Sequence, residues 1–301
     1  MSKSSRRTFI KASALGLGSS LLPWQNFFAQ SFQPQEYVMR PLRNNVGVFT
    51  DRGGTIAWLL SENGIAVVDT QFPASAKKLI GELRKTTDRK LDLLVNTHHH
   101  GDHTAGNFAF EGMVDTIVAH ENSKKNQMRV AEERNQMATQ LFPNTIYKDT
   151  WSGKVGEETI SLKYFGAAHT DGDSVVHFEN ANIAHLGDLL FRDRHPYVDT
   201  SAGAIIQSWI EVLEEILKHY DKETLFVWGH AKEAEDIIGD SEALIKKRNY
   251  LTAVLEFVNK EISEGKSLEE VLKATEIPGF PEYDSRGIER PLKAAYEELS
   301  K

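Results

Sequence analysis

The chain of 301 residues has no cysteine, no long apolar run in its interior and no excess of positive charge. Without thiols it forms no disulfide, and any metal that it binds must be held by nitrogen and oxygen ligands. No interior segment approaches the ~18 consecutive apolar residues of a membrane-spanning helix, so we expect no integral membrane segment in the mature chain. The net charge of −8 gives no support for nucleic acid as a partner.

The N-terminus has the composition of an export signal. The segment SRRTFIK at residues 5–11 resembles the twin-arginine motif, and an uncharged stretch rich in Ala, Gly and Leu follows it. We predict that residues 1–29 are a Tat signal peptide cleaved near Ala29, and that the mature protein works in the periplasm or otherwise outside the cytoplasm. A basic tail without a signal function is the alternative.

The rest of the chain alternates between the sequence patterns of strands and helices. Strands are predicted at residues 46–50, 55–60, 65–69, 91–96, 117–119, 159–165, 174–178, 183–186 and 225–228, and helices at residues 73–85, 121–140 and 204–220. From residue 241 onward the pattern is helical. We therefore predict an α/β layered domain over residues 30–240, with residues 241–301 as a C-terminal helical extension packed on the same domain.

Four histidines and one aspartate lie within six consecutive positions, HHHGDH, directly after a predicted strand. His98 and His100 are two residues apart, so in an extended backbone their side chains leave the same face and could share one metal ion. The glycine that follows permits a sharp turn, after which Asp102 and His103 can face a second site. We expect a helix to begin near Thr104 and its N-terminus to stabilise the Asp102 carboxylate.

A run of histidines can instead be an adventitious metal trap or a solvated turn, and a single histidine is most often structural. Three later positions argue against both alternatives, because His169, Asp188 and His230 each follow an apolar strand pattern. Residues at strand ends commonly line one rim of a sheet, where a site can be assembled from distant parts of the chain. We therefore predict one metal site built from all these segments.

Together these motifs resemble those of the metallo-β-lactamase superfamily. HHHGDH at residues 98–103 fits the family signature H-x-H-x-D-H, and HTDGD and GH fit its later motifs in order, over roughly residues 45–230. The resemblance implies a four-layer αβ/βα sandwich with two metal ions at one edge of two facing sheets. Carried over by position, metal one would be held by His98, His100 and His169, and metal two by Asp102, His103 and His230. Asp188 would bridge both ions.

The residue at the bridging position separates the branches of this family. The best-known β-lactamases have a cysteine there, whereas an aspartate such as Asp188 resembles glyoxalase II, lactonases and phosphodiesterases. The resemblance therefore implies a dinuclear zinc hydrolase, in which a hydroxide between the two ions attacks an ester, lactone, thioester or amide bond of a small molecule. Asp102 would orient that hydroxide and shuttle its proton, as the catalytic residue.

Three other functions stay open. One is a β-lactamase-type lactam hydrolase, the second is an iron-dependent oxidoreductase of the same fold, and the third is a non-catalytic binding protein of the periplasm. The di-iron branch has a glutamate where this chain has His100, which favours hydrolysis. Iron and manganese are the alternatives to zinc.

The sequence also indicates where a substrate would bind. Arg192, Arg194, His195 and Tyr197, in the loop that follows Asp188, are predicted to reach it, and residues 121–150 with Trp151 are predicted to wall the pocket.

The remaining candidates are assigned supporting or structural roles. Asp69 and Asp173 either orient ligand imidazoles or cap strand ends. His99 is predicted to face away from the metals, and packing or surface roles are predicted for the other histidines: His120, His177, His185 and His219.

Overall fold

The computed structural model describes residues 37–301, and seven strands of this part form a first sheet in chain order. They are β1 (Val38–Arg43), β2 (Val46–Thr50), β3 (Ile56–Leu60), β4 (Ile65–Val68), β5 (Leu93–Val95), β6 (Ile117–His120) and β7 (Thr145–Tyr147). Strands β1 to β4 pair antiparallel, whereas β4 to β7 pair parallel. The parallel half needs crossover connections, which helices and loops outside the sheet supply.

Eight further strands follow. They are β8 (Thr150–Val155), β9 (Glu158–Lys163), β10 (Val175–Phe178), β11 (Ile183–His185), β12 (Phe191–Arg192), β13 (Leu225–Val227), β14 (His230–Ala231) and β15 (Ile238–Gly239). Six of them form a second sheet in the order β15-β13-β11-β10-β9-β8, in which only β11 and β13 pair parallel. β12 and β14 form a separate parallel pair.

Seven α-helices complete the described part. They are α1 (Pro73–Arg84), α2 (Gly101–Thr104), α3 (Glu121–Glu133), α4 (Ile206–His219), α5 (Ser241–Ser263), α6 (Leu268–Val271) and α7 (Glu289–Leu299). A proline opens α1, where its missing N–H costs nothing. Helix α3 ends before the predicted residue 140 because Asn135 adopts a left-handed backbone with φ of 55°. None of the helices in residues 37–301 has the length and hydropathy needed to cross a membrane.

The two faces of the first sheet bury different apolar clusters. In β3, Ile56 and Trp58 pack in the cluster that includes Leu79 of α1, whereas Ala57 and Leu59 pack in the cluster shared with the second sheet. Because successive strand residues point to opposite faces, a strand buried on both sides must be apolar throughout. This is why β2 to β6 read as continuous apolar runs.

Helix α4 covers the outer side of the second sheet through an apolar stripe. Trp209, Leu213 and Ile216 recur at helical spacing and are fully buried in the same cluster as the strands. The layers are therefore helix, sheet, sheet and helix, which confirms the predicted αβ/βα sandwich.

The residues beyond 240 share this core. Leu244 and Tyr250 of α5 and Leu292 of α7 belong to the same cluster as Trp209. A capping box at Ser267 and Glu270 begins α6. The predicted signal peptide at residues 1–29 lies outside the described residues, and the exported location stays a prediction.

Candidate metal centre

The predicted ligands meet at one edge of the two sheets. The loop with His98 to His103 follows β5, Asp188 lies in a 3₁₀ turn after β11, and His230 begins β14 directly after β13. The three strands end at this edge, and His169 joins from the loop between β9 and β10. Side chains that are up to 132 positions apart in the sequence thus come together because parallel strands end on the same side.

Three imidazoles form a first metal group, defined as His98, His100 and His169. Nδ1 of His100 lies 3.0 Å from Nε2 of His98 and 2.9 Å from Nε2 of His169. Zinc–nitrogen bonds of about 2.0–2.1 Å place tetrahedral ligand atoms about 3.3 Å apart. The spacing of the three nitrogens is therefore close to that of ligands around one ion.

The opposite ring nitrogens of this group all have hydrogen-bond acceptors. Nδ1 of His98 lies 3.0 Å from the Thr97 hydroxyl, which itself donates to Asp69 and so accepts from the imidazole. Nδ1 of His169 lies 2.8 Å from the carbonyl oxygen of Tyr197, and Nε2 of His100 lies 2.9 Å from Oδ2 of Asp199. These acceptors assign the protons to the outer nitrogens and leave three lone pairs facing one point, as a bound cation requires.

A second metal group consists of Asp102, His103 and His230. Nε2 of His230 lies 3.1 Å from Oδ2 of Asp102 and 3.5 Å from Nε2 of His103. Nδ1 of His103 donates to Oδ2 of Asp69 at 2.7 Å, so its Nε2 is directed at the group. Of the two roles predicted for Asp69, the structure shows the orientation of an imidazole.

Asp188 lies between the two groups. Its Oδ2 is 3.4 Å from Nε2 of both His169 and His230, and its Oδ1 is 3.0 Å from Nε2 of His103. Oδ1 is buried, and its contact with Nε2 of His103 is an ion pair and not a well-aligned hydrogen bond. A buried carboxylate oxygen without an aligned donor is costly, and a metal ion at this position would remove that cost.

The charges of the two groups differ. Burial, with further help from the neighbouring His103, holds the pKa of His98 well below its usual range, and burial lowers the pKa of His169 to about 3. Burial also opposes a charge on His230, but Asp188 and Asp102 outweigh it and raise its pKa to about 9. His98 and His169 of the first metal group are thus neutral imidazoles, whereas His230 of the second binds a proton when no metal displaces it.

The second metal group also differs from the first because it contains a carboxylate. Burial opposes ionisation of Asp102, yet His103 and His230 hold its pKa at about 2. The pKa of the His103 imidazole is raised well above its usual range, because Asp188, Asp69 and Asp102 outweigh the opposing effect of burial. His230 and His103 likewise outweigh burial and hold the pKa of Asp188 well below its usual range, so Asp102 and Asp188 are both available as anionic ligands at neutral pH.

Two glycines make room for the ligands. A Cβ atom on Gly229 would lie 2.0 Å from Oδ1 of Asp188, and a Cβ on Gly54 would lie 2.0 Å from Cε1 of His103. Any other residue at either position would displace a ligand. The backbone is thus fitted closely around the space between the two groups.

Two local predictions need correction. The helix expected near Thr104 begins at Gly101 and is a single turn, so Asp102 lies inside its first turn rather than before it. Asp173 contacts none of the ligand imidazoles. It accepts hydrogen bonds from the backbone N–H and the hydroxyl of Thr170, at 2.7 and 2.8 Å, which is the capping role.

His99 is not one of the three imidazoles of the first metal group, but with His100 and Asp199 it forms a further set of side chains that could hold a metal ion, and this partner was not evident from the sequence. Its Nε2 lies 3.3 Å from Oδ2 of Asp199, the same carboxylate oxygen that accepts from His100. Asp199 lies in an irregular loop with no pattern around it. Only the tertiary structure brings it to the histidines.

Three of the predicted substrate contacts differ in position. Tyr197 is 44% exposed, and its ring centroid lies 5.4 Å from that of His100. Arg192 points instead to Asp193 and to the Trp228 ring. His195 is buried, with Nδ1 2.5 Å from the Tyr250 hydroxyl and Nε2 2.7 Å from a backbone carbonyl oxygen. The structure therefore brings only Tyr197 to the metal groups.

A cavity of about 460 Å³, here called the metal cavity, opens over the two groups. Its lining includes His100, Asp102, Asp188 and His230, together with Tyr197. A second cavity of about 730 Å³ adjoins it and is more apolar, with Phe72, Phe108 and Val130 in its wall. Residues from α3 line both cavities, as predicted. Trp151 lines neither, because it lies in β8 and packs against the core.

The other histidines have structural surroundings. His120 accepts a hydrogen bond at the start of α3 and contacts the carbonyl of Lys148, and His185 contacts the carbonyl of Thr55. His177 and His219 lie near Tyr220. None of the four belongs to the groups that could hold a metal in the described part of the chain.

Comparisons with known proteins agree with this geometry. The sequence profile of the metallo-beta-lactamase superfamily matches residues 50–230, more than half of the chain. The chain is 27% identical over 184 residues to the alpha subunit of 2,4-dinitroanisole O-demethylase from Nocardioides sp. (strain JS1661), a match that covers 59% of this chain and 53% of that protein. It is 25% identical over 188 residues to a metallo-beta-lactamase type 2 from Bacillus sp. (strain 170), covering 62% and 68%.

Solved structures show the same fold. The sec-alkyl sulfatase PisA1, as a double mutant, matches with a TM-score of 0.70 at 13% identity, over 87% of this chain and 50% of that chain. A metallo-beta-lactamase from Pontibacter korlensis matches with a TM-score of 0.58 at 18% identity, over 72% and 99%. The chain thus spans about half the length of the demethylase subunit and of the sulfatase. The profile match, the sandwich and the His/Asp edge establish that the chain belongs to the metallo-β-lactamase superfamily.

Proposed function

We propose that this protein is a dinuclear metal-dependent hydrolase, with zinc as the metal, that cleaves an ester, lactone, thioester or amide bond of a small molecule. The observation that carries the proposal is the position of Asp188. Its Oδ2 lies between His169 of the first metal group and His230 of the second, and its Oδ1 lies beside His103 of the second without a well-aligned hydrogen bond. A site for a single ion would not need a buried carboxylate directed at two sets of imidazoles.

The ligand atoms of the two metal groups suit a zinc-dependent hydrolase. They are nitrogen and carboxylate oxygen only, which zinc, manganese and iron all accept. Ions held there would supply Lewis acidity toward the bond that is cleaved and lower the pKa of water for attack at neutral pH. Asp69 and Asp199 fix the orientation of His103 and His100, so the ligands are ordered before the metal enters.

Asp102 is assigned the proton transfer. Its carboxylate lines the metal cavity, and its side chain is 30% exposed, so it can be reached by a substrate. A carboxylate at this wall can accept a proton from the attacking water and return it to the leaving group. The His230 imidazole, 3.1 Å from Oδ2, holds it in position.

The class of bond that is cleaved is proposed from the resemblance to hydrolases with a bridging aspartate, and not from any one of the named relatives. The named relatives comprise a demethylase, β-lactamases and a sulfatase, which act on different bonds. Tyr197 and the adjoining apolar cavity favour a substrate with an apolar portion. Export through the Tat pathway, proposed from the N-terminal motif, suits a protein that folds with its metals before it crosses the membrane.

A substrate panel tests the proposal. The protein is depleted of metal, reloaded with zinc and assayed against p-nitrophenyl esters, lactones, thioesters, a chromogenic β-lactam and a phosphodiester. We expect turnover of at least one class of carbonyl substrate that needs zinc and falls at least about 100-fold in Asp102→Asn. Equal turnover in the metal-free protein, or redox activity with iron in place of hydrolysis, would contradict the proposal.

A further inference from the structure

Arginines are concentrated around the metal cavity, although the chain as a whole is acidic. Four of them line it: Arg129, Arg134, Arg194 and Arg290. Arg129 makes an ion pair with Glu133 at 3.0 Å, within α3. The other three come from separate elements, at the end of α3, in the loop after β12 and at the start of α7.

These three arginines have no close carboxylate partner. The side chains of Arg134 and Arg194 make no ion pair within residues 37–301, and Arg290 is only within 3.9 Å of its neighbour Glu289. The other carboxylates of the cavity wall are already used, because Asp102 and Asp188 face the metal groups and Asp199 accepts from His100. The three guanidinium groups are therefore available to an anion that enters the cavity.

Helix stability does not explain the position of Arg290. It lies in the first turn of α7, where the helix dipole disfavours a cation. Its guanidinium carbon lies 6.0 Å from the centroid of the Tyr197 ring, which in turn stands beside His100. Helix α7 thus places a positive charge beside Tyr197, which itself stands beside His100 of the first metal group.

The loop that carries Arg194 is fixed by the same C-terminal region. Asp193 accepts from Lys246 at 2.7 Å, and the carbonyl oxygen of Arg194 accepts from buried Lys247 at 3.4 Å. The next residue, His195, is held between Tyr250 and the Asp284 carbonyl. An arginine whose backbone is anchored on both sides can present its side chain without first ordering the loop.

We propose that the substrate carries an oxyanion, such as a carboxylate, sulfate or phosphate, at a distance from the bond that is cleaved, and that Arg194, Arg290 and Arg134 bind this group at the mouth of the metal cavity. This inference rests on the proposed metal-dependent function, because the metal centre sets where the other end of the substrate lies. The three arginines are specificity-determining residues, and the C-terminal extension supplies one of them and positions another.

Two matched hydroxamates test the inference without requiring turnover. Glutaric acid monohydroxamate and pentanohydroxamate both chelate a metal through one end, and they differ in having a carboxylate or a methyl group at the other. A sulfonate-ended hydroxamate serves as a third probe. Dissociation constants are measured by calorimetry on the zinc-loaded protein, on Arg194→Gln, on Arg290→Gln and on the double variant. Arg40→Gln, at an exposed position of β1 outside the cavity, is the control.

We expect at least one anionic probe to bind about tenfold or more tightly than the methyl-ended probe to the wild-type protein. The ratio of the dissociation constants of the methyl-ended and anionic probes should fall toward one in the double variant, and it should do so only because the anionic probes bind less tightly. In Arg40→Gln the ratio should stay as in the wild-type protein. Equal affinity of all three hydroxamates for the wild-type protein would overturn the arginine site and leave the metal centre intact. If no hydroxamate binds, the metal centre and the inference that rests on it both fail.

Discussion

Replacing Gly229 with alanine is expected to break the link between the two metal groups. The new Cβ would lie 2.0 Å from Oδ1 of Asp188, about 1.4 Å closer than the ~3.4 Å of ordinary carbon–oxygen contact. The Asp188 carboxylate, which is buried, must then shift by about that distance, whereas ligand atoms tolerate only about 0.2 Å. Overpacking of this kind costs roughly 1–3 kcal/mol of folding stability, but misplacing a catalytic group by about 1 Å can cost about 100-fold in rate.

Metal content per chain and kcat on the best substrate of the panel measure this effect. We expect Gly229→Ala to lose one of two ions and at least about 100-fold in kcat while it still unfolds cooperatively. Gly81→Ala is the control, because a Cβ there meets no atom within 4 Å and lies inside α1, where alanine stabilises a helix by about 0.5–1 kcal/mol. If Gly229→Ala keeps two ions and normal turnover, the close fit around Asp188 has no functional role.

Three further outcomes are expected. Asp188→Ala should keep at most one ion per chain and lose most turnover, and two retained ions would show that this carboxylate does not bridge. Metal binding at pH 7 should release about two protons, because His103 and His230, with raised pKa values, are protonated until an ion displaces the protons. Calorimetry in buffers of different ionisation enthalpy counts the released protons. The affinity of the second metal group should therefore fall more steeply on acidification than that of the first, so that its ion dissociates first, and release of no protons would contradict this order. Asp199→Ala should weaken metal binding about 10- to 100-fold through His100, whereas His99→Ala should change it little; an equal loss in His99→Ala would mean that this histidine holds the metal.

Elements with strong local patterns were predictable from the sequence. Strand β2 has the predicted bounds, α1 differs by one residue at its C-terminal end, and α4 differs by two residues at its start and one at its end, because their apolar residues recur with a clear period. Strand β8 was missed because Thr150 to Val155 alternates in burial but carries polar residues and a glycine. Propensity and pattern say little about such a strand until its partner is known.

The same distinction holds for the residues of the site, of which only those with a clear local pattern could be predicted from the sequence. The histidine loop and Asp188 could be identified because they follow apolar strands and match a family motif. Asp199 and Arg290 could not, since Asp199 lies in an irregular loop, the helical pattern around Arg290 indicates packing only, and both reach the site through packing of distant elements. His195 was assigned to the substrate from its place near Asp188, but burial against Tyr250 gives it a structural role. Nearness in sequence is a weak guide to which side of a loop faces a cavity.

The metal content of the mature protein tests the central claim most directly. The protein should be purified without a chelator and without a histidine tag, and its metals counted per chain by mass spectrometry. Two ions per chain, predominantly zinc, are predicted, because two groups of nitrogen and oxygen ligands share Asp188. One ion per chain, or a predominance of iron, would contradict the dinuclear zinc hydrolase proposed here.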